Sequence, residues 1–333
     1  MKRLGLALVA VFLAATACQK QAEHLYTIAV FQIIDAPTLN EARRGFLQAL
    51  ADNGLHDSVN VRLTFRNAEG DVVEAQRMAR EFAARQTDLI VALSTQCLQA
   101  ALMAAPKSKI LFASVANPQL LGVGRTSGNH LPNVTGVAST GPIKQILAFI
   151  QEVLPRTKRV GTLWTPSELN SEFYLQLARD AAEELGLEIV AVPVANVNEV
   201  LFSAQMLLSK NIDVLFPISD NTINASFESI GRLAEDNGIP LFGGSPLFTR
   251  LGACAAMGWD FYEMGYEAGK MAVRIMNGEN PSQIPIQTMS KVRLHLNLAA
   301  AKKQGVEFSP EILGRADDII SLERGAGEGV MGK

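Results

Sequence analysis

The chain alternates between two kinds of apolar pattern. Residues 26–33 (YTIAVFQI) form a dense apolar run rich in β-favouring types. Residues 39–53 instead space Leu39, Ala42, Phe46 and Leu50 three or four apart, and Gly54 follows. That spacing predicts an amphipathic helix stopped by glycine. Residues 59–65 alternate apolar with polar, as a half-buried strand does. Residues 72–85 return to helical spacing, with Val72, Ala75, Ala79 and Phe82 on one face. Residues 88–93 (DLIVAL) are short and continuously apolar, the pattern of a strand covered on both sheet faces. A helix over 96–105 and a strand over 109–113 complete this first series.

A second series then begins. Helical spacing covers 142–154, 172–185, 197–209 and 222–237, and strand patterns cover 159–164, 187–194, 213–216, 240–243 and 253–257. Residues 261–276 add a helix and 292–296 a strand. Strand and helix in strict alternation predict the α/β class, with parallel sheets wrapped by helices. The restart predicts two doubly wound parallel-sheet lobes rather than one large sheet. Residues 321–333 are glycine-rich and polar and read as a flexible tail.

The ends change this picture. Lys2 and Arg3 precede an apolar stretch over 4–15, and Ala15, Thr16 and Ala17 are small. This is the layout of a secretory signal peptide over 1–17. Ala15-Thr16-Ala17-Cys18 resembles a bacterial lipobox, in which Cys18 would carry a lipid and residues 18–24 would form a tether. The competing reading is an ordinary signal peptide with an incidental cysteine. Either way the expectation is an exported protein, and with the lipid one anchored on the periplasmic side of the cell envelope. No later stretch has the ~20 apolar residues of a membrane-spanning helix.

Composition narrows the function. Of 333 residues, 48 % are hydrophobic and 19 % charged, with net charge −3. That is globular composition, and it lacks the basic field that nucleic-acid partners need. The four histidines are scattered, which predicts no metal site and no cofactor. No set of nucleophile, base and orienting group is visible, which argues against an enzyme. Cys97 and Cys254 are expected to be small buried apolar residues.

Open parallel sheets bind ligands beyond the carboxyl ends of their strands. The loops there carry Asp35, then Ser94, Thr95 and Gln96, then Asn117, in the first series. In the second they carry Asn170 and Ser171, then Asp220 and Asn221, then Ser245. Each is also an ordinary helix-capping type. Six such loops in two units favour a shared cleft.

These loops fall in a series with a wider resemblance. Phe31-Gln32, Pro37, Gly45-Phe46 and Asn67-Ala68-Glu69-Gly70-Asp71 are followed by Asn133-Val134-Thr135-Gly136 and by Pro217 with Asp220-Asn221-Thr222. Ile239-Pro240-Leu241-Phe242-Gly243-Gly244 and Tyr262, Gly265, Gly269-Lys270-Met271-Ala272 close the series. In this order they resemble ABC transporter substrate-binding lipoproteins that include tryptophan- and tyrosine-binding members.

The resemblance implies a periplasmic-binding-protein fold with a multi-strand hinge. Lobe 1 would hold 25–138 plus 260–283, and lobe 2 would hold 139–259 plus 284–320. Hinge strands would pass near Ser139, residues 258–260 and Pro285. Ser94, Thr95 and Gln96 would contact ligand from lobe 1, Asn170 and Ser171 would hold its polar end, and Asp220 would receive an amino group. Members of the family often carry Glu-His-Pro, Thr-Asp-Pro and Gly-Gly-Asp where this chain has Asp35-Ala36-Pro37, Ala116-Asn117-Pro118 and Gly243-Gly244-Ser245. The expected partners are a small-molecule ligand and an ABC permease, the expected state a monomer. A ligand-sensing lipoprotein and a hydrolase-like enzyme on the same fold are the rival readings.

Overall fold

The computed structural model describes residues 25–321. The signal peptide, Cys18 and all but the first residue of the expected tail lie outside them. The first lobe runs β1 (Tyr26–Gln32), α1 (Pro37–Asp52), β2 (Val61–Asn67), α2 (Val72–Ala84), β3 (Leu89–Leu93), α3 (Thr95–Ala104) and β4 (Ile110–Val115). A small antiparallel hairpin, β5 (Gly124–Thr126) with β6 (Asn129–His130), then leads to β7 (Val134–Ala138).

The second lobe begins with α4 (Ile143–Val153), β8 (Arg159–Trp164), α5 (Leu169–Leu185), β9 (Glu188–Pro193), α6 (Val200–Leu208) and β10 (Val214–Leu215). It continues with α7 (Asn221–Asn224), α8 (Phe227–Asn237), β11 (Phe242–Gly243) and β12 (Ala255–Gly258). The chain returns to the first lobe through α9 (Phe261–Met276) and β13 (Gln287–Thr288). It ends in the second with β14 (Arg293–Asn297), α10 (Leu298–Lys303), α11 (Pro310–Arg315) and β15 (Asp318–Ile320).

The first sheet is parallel throughout, in the order β2-β1-β3-β4-β7-β13. In the second lobe β9-β8-β10 and β11-β12-β14-β15 form two ladders, linked by a parallel bridge from Leu215 to Leu241. Read together, both lobes wind their first five strands in one order: second, first, third, fourth, fifth. Only β14 departs, pairing antiparallel with β12. Apolar clusters cover both faces of each sheet. Phe31 and Phe112 face one side of the first sheet, while Ile28, Val30 and Phe46 face the other. This double burial is why the strand sequences read as apolar runs rather than alternations.

Three points correct the expectation. First, the helix expected over 222–237 is broken at residues 225–226 into α7, which Asp220 caps through Ile223 N, and α8. Second, β13 pairs with Val137 and Ala138 of the first sheet, and Ile284 and Ile286 belong to first-lobe cores. The boundary expected at residue 284 therefore moves, and the third crossing lies between Thr288 and Arg293 rather than at Pro285. Third, α10, α11 and β15 continue the second lobe where no element was expected. Among the described residues no helix is long and apolar enough to cross a membrane.

Candidate ligand-binding site

In each lobe the strand order reverses beside the first strand, between β1 and β3 and between β8 and β10. Loops on either side of such a switch point diverge and leave a crevice. Residues of both crevices line one small, partly open cavity. Thr38, Leu39, Ser114 and Phe261 line it from the first lobe, Ser139 from the first crossing, and Asn170, Tyr174, Ser219, Asp220, Asn221 and Asn224 from the second. No basic side chain is among these residues.

Asp220 dominates the electrostatics. It is 1 % exposed and accepts hydrogen bonds from Thr165 N at 3.0 Å and Ile223 N at 2.9 Å. Burial first, and the neighbouring Glu168 second, push its carboxyl up to about 8. No cation within the described protein offsets this. Asn170 Oδ1 and Asn224 Oδ1, both buried at the same cavity, have no hydrogen-bond donor. Buried acceptors without donors are rare in folded proteins, and two of them share this cavity with the buried Asp220 carboxyl.

Glu168 organises the same loop. It is 5 % exposed and accepts from Asn170 Nδ2, Asn221 N and Nδ2, and Thr222 N and Oγ1, at 2.7–3.1 Å. Its pull orients Asn221, whose Nδ2 also donates to Gln96 Oε1 of the other lobe at 2.9 Å. The first-lobe wall has a different character. There α1 begins at Pro37, its N-cap is Ala36, and no side chain caps it. A helix start of this kind presents unpaired N–H groups and partial positive charge.

The candidates named from sequence divide sharply. Asn170, Asp220 and Asn221 line the cavity. Gln96 reaches it only through Asn221, and Ser171 supports it, since Ser171 Oγ accepts from Thr165 N at 2.8 Å. Ser94 caps α3 by accepting from Cys97 N, and Thr95 Oγ1 accepts from Ala116 N; neither is among the residues around the cavity. Asn117 caps a short 3-10 turn, and exposed Asp35 accepts from Asn40 Nδ2. Ser245 lines a different groove, shared with Glu41, Arg44 and Arg250.

Tyr174, Asn224 and Phe261 were missed. Tyr174 lies inside α5, Asn224 ends α7 and Phe261 begins α9, and in a helix sequence gives core packing and cavity lining the same spacing. Cys97 and Cys254 are buried free thiols, both pushed up to about 12 by burial, so neither supplies a thiolate. Trp259 Nε1 donates to Thr140 O at 2.8 Å, which ties the second hinge crossing to the first.

Two lobes wound alike, three crossings and a cavity lined from both switch points define a clamp-like solute-binding protein. The chain belongs to the ABC transporter substrate binding protein family, whose model matches residues 27–320. It is 30 % identical over 270 residues to a tyrosine-binding protein of Clostridioides difficile strain R20291, spanning 81 % of this chain and 78 % of that one. A domain from Streptococcus pneumonia solved in complex with L-Trp superposes with a TM-score of 0.83 at 26 % identity, covering 89 % of this chain and 99 % of the other. A ligand-free, open substrate binding protein with adhesive properties from Clostridium difficile gives only 0.65, at 29 % identity and the same coverage. Identity and coverage barely differ between the two, and this chain superposes more closely on the L-Trp complex than on the open structure.

Proposed function

We propose that this protein captures a zwitterionic solute of the amino-acid class by lobe closure and delivers it to the permease of an ABC importer, held at the membrane by a lipid on Cys18. The carrying observation is the polarity of the cavity. Buried Asp220, with the orphaned Asn170 and Asn224 oxygens beside it, asks for an ammonium group. The uncapped start of α1, entering through Thr38 and Leu39, suits a carboxylate. The tyrosine- and tryptophan-binding relatives support the same class. In this reading residues 25–138 with 260–288 move as one lobe and 139–259 with 293–320 as the other, and the protein works outside the cytoplasmic membrane as a monomer.

Isothermal titration with free amino acids, their deaminated analogues and their methyl esters tests this. Binding of an intact amino acid, lost on removal of either charged end, is the expected result. Equal affinity for a deaminated analogue would remove Asp220 from its role.

A further inference from the structure

Ser245, expected beside the ligand, instead lines a groove larger than the central cavity. The groove lies between the lobes along the β11, β12 and β14 side, and of the residues around the central cavity it shares only Phe261. Ser245 is 1 % exposed, and its Oγ has no hydrogen-bond partner. Arg250 lines the same wall and, among the described residues, makes no hydrogen bond or ion pair. His295 stands nearby and is itself disfavoured as a cation by burial and by Arg250.

The opposite wall is different. Glu41 is already paired with Arg44, whose guanidinium lies 4.3 Å over the Tyr262 ring. Asp260 accepts from Tyr262 N and Glu263 N at the start of α9. Both carboxylates are thus engaged. The unmet groups are the buried hydroxyl of Ser245 and the exposed guanidinium of Arg250, both able to donate and both on residues that line the groove.

We propose that this groove is a second binding site, for a small oxyanion such as a carboxylate or phosphate, held by Arg250 and Ser245 Oγ of one lobe and faced by the Arg44–Glu41 pair of the other. A guanidinium fork matches the oxygen spacing of either group. The walls come from two lobes, so the occupant binds the closed form preferentially and favours closure.

Thermal unfolding of the full chain in inorganic phosphate, in acetate and in chloride at matched ionic strength tests the site. Phosphate strengthens burial in any protein, so the readout is the difference between wild type and Arg250→Ala. The expected result is a saturable rise of about 2 °C or more in wild type with phosphate or acetate. That rise is absent in Arg250→Ala and Arg250→Gln, and diminished in Ser245→Ala. Asp220→Asn retains the response, which separates this site from the solute cavity. An equal rise in Arg250→Ala, or no rise beyond chloride in wild type, overturns the proposal.

Discussion

Asp220 is the residue on which the electrostatics turn. A carboxyl raised by burial binds its proton more tightly folded than unfolded. Its contribution to stability is therefore fullest below the ordinary carboxylate range and is lost as pH rises toward about 8. An ammonium ligand reverses the preference, because it pairs only with the ionised form. Solute affinity should rise with pH up to about 8, with proton uptake by buffer detectable in calorimetry below it. A flat profile in wild type would contradict this. Asp220→Asn should flatten the profile and weaken binding by about 100-fold, the scale of breaking a buried charge pair. This residue was legible because it follows a strand and precedes a turn. Glu168 was not given a role of its own, because nothing in a sequence shows one carboxylate gathering five donors from two loops.

At the scale of elements, α1 and α9 meet almost backbone to backbone. A Cβ on Gly265 would lie 1.8 Å from Ala42 O, and one on Gly45 would lie 2.0 Å from Tyr262 O. Gly269 likewise has no room against Ala49. These glycines are among the residues that carried the family resemblance, and their work is packing. Gly265→Ala should lower stability by about 1–3 kcal/mol or more, read as a shift in the denaturant midpoint. An unchanged midpoint would mean that the two helices separate easily. Helices and buried strands were readable from periodicity. The short pieces β13, α10 and α11 were not, since two to six residues carry too little pattern to register. The division of α7 from α8 was hidden for another reason: the break at residues 225–226 falls inside what reads as one apolar stripe.

For the whole molecule, the property at stake is the balance between open and closed. The Asn221–Gln96 hydrogen bond spans the lobes, and Gln96 does not line the solute cavity. Gln96→Ala should therefore lower solute affinity only about three- to tenfold, the range of one hydrogen bond. Small-angle scattering should show a larger fraction of open molecules in the variant without solute. A fall as large as that of Asp220→Asn would place Gln96 against the ligand instead. The two-lobed plan was legible because its alternation starts twice. The position of the last crossing was not, because β13 is a two-residue strand borrowed by the first sheet. The twin winding has one more consequence. Two like crevices facing each other have no preferred direction of their own, so the scaffold could hold a polar solute either way round. In the proposed reading, head and tail are assigned by a handful of side chains: an aspartate on one rim and an alanine, in place of a capping residue, at the helix start on the other. Exchange of those few residues between rims would be expected to turn the cargo end for end while leaving the architecture intact.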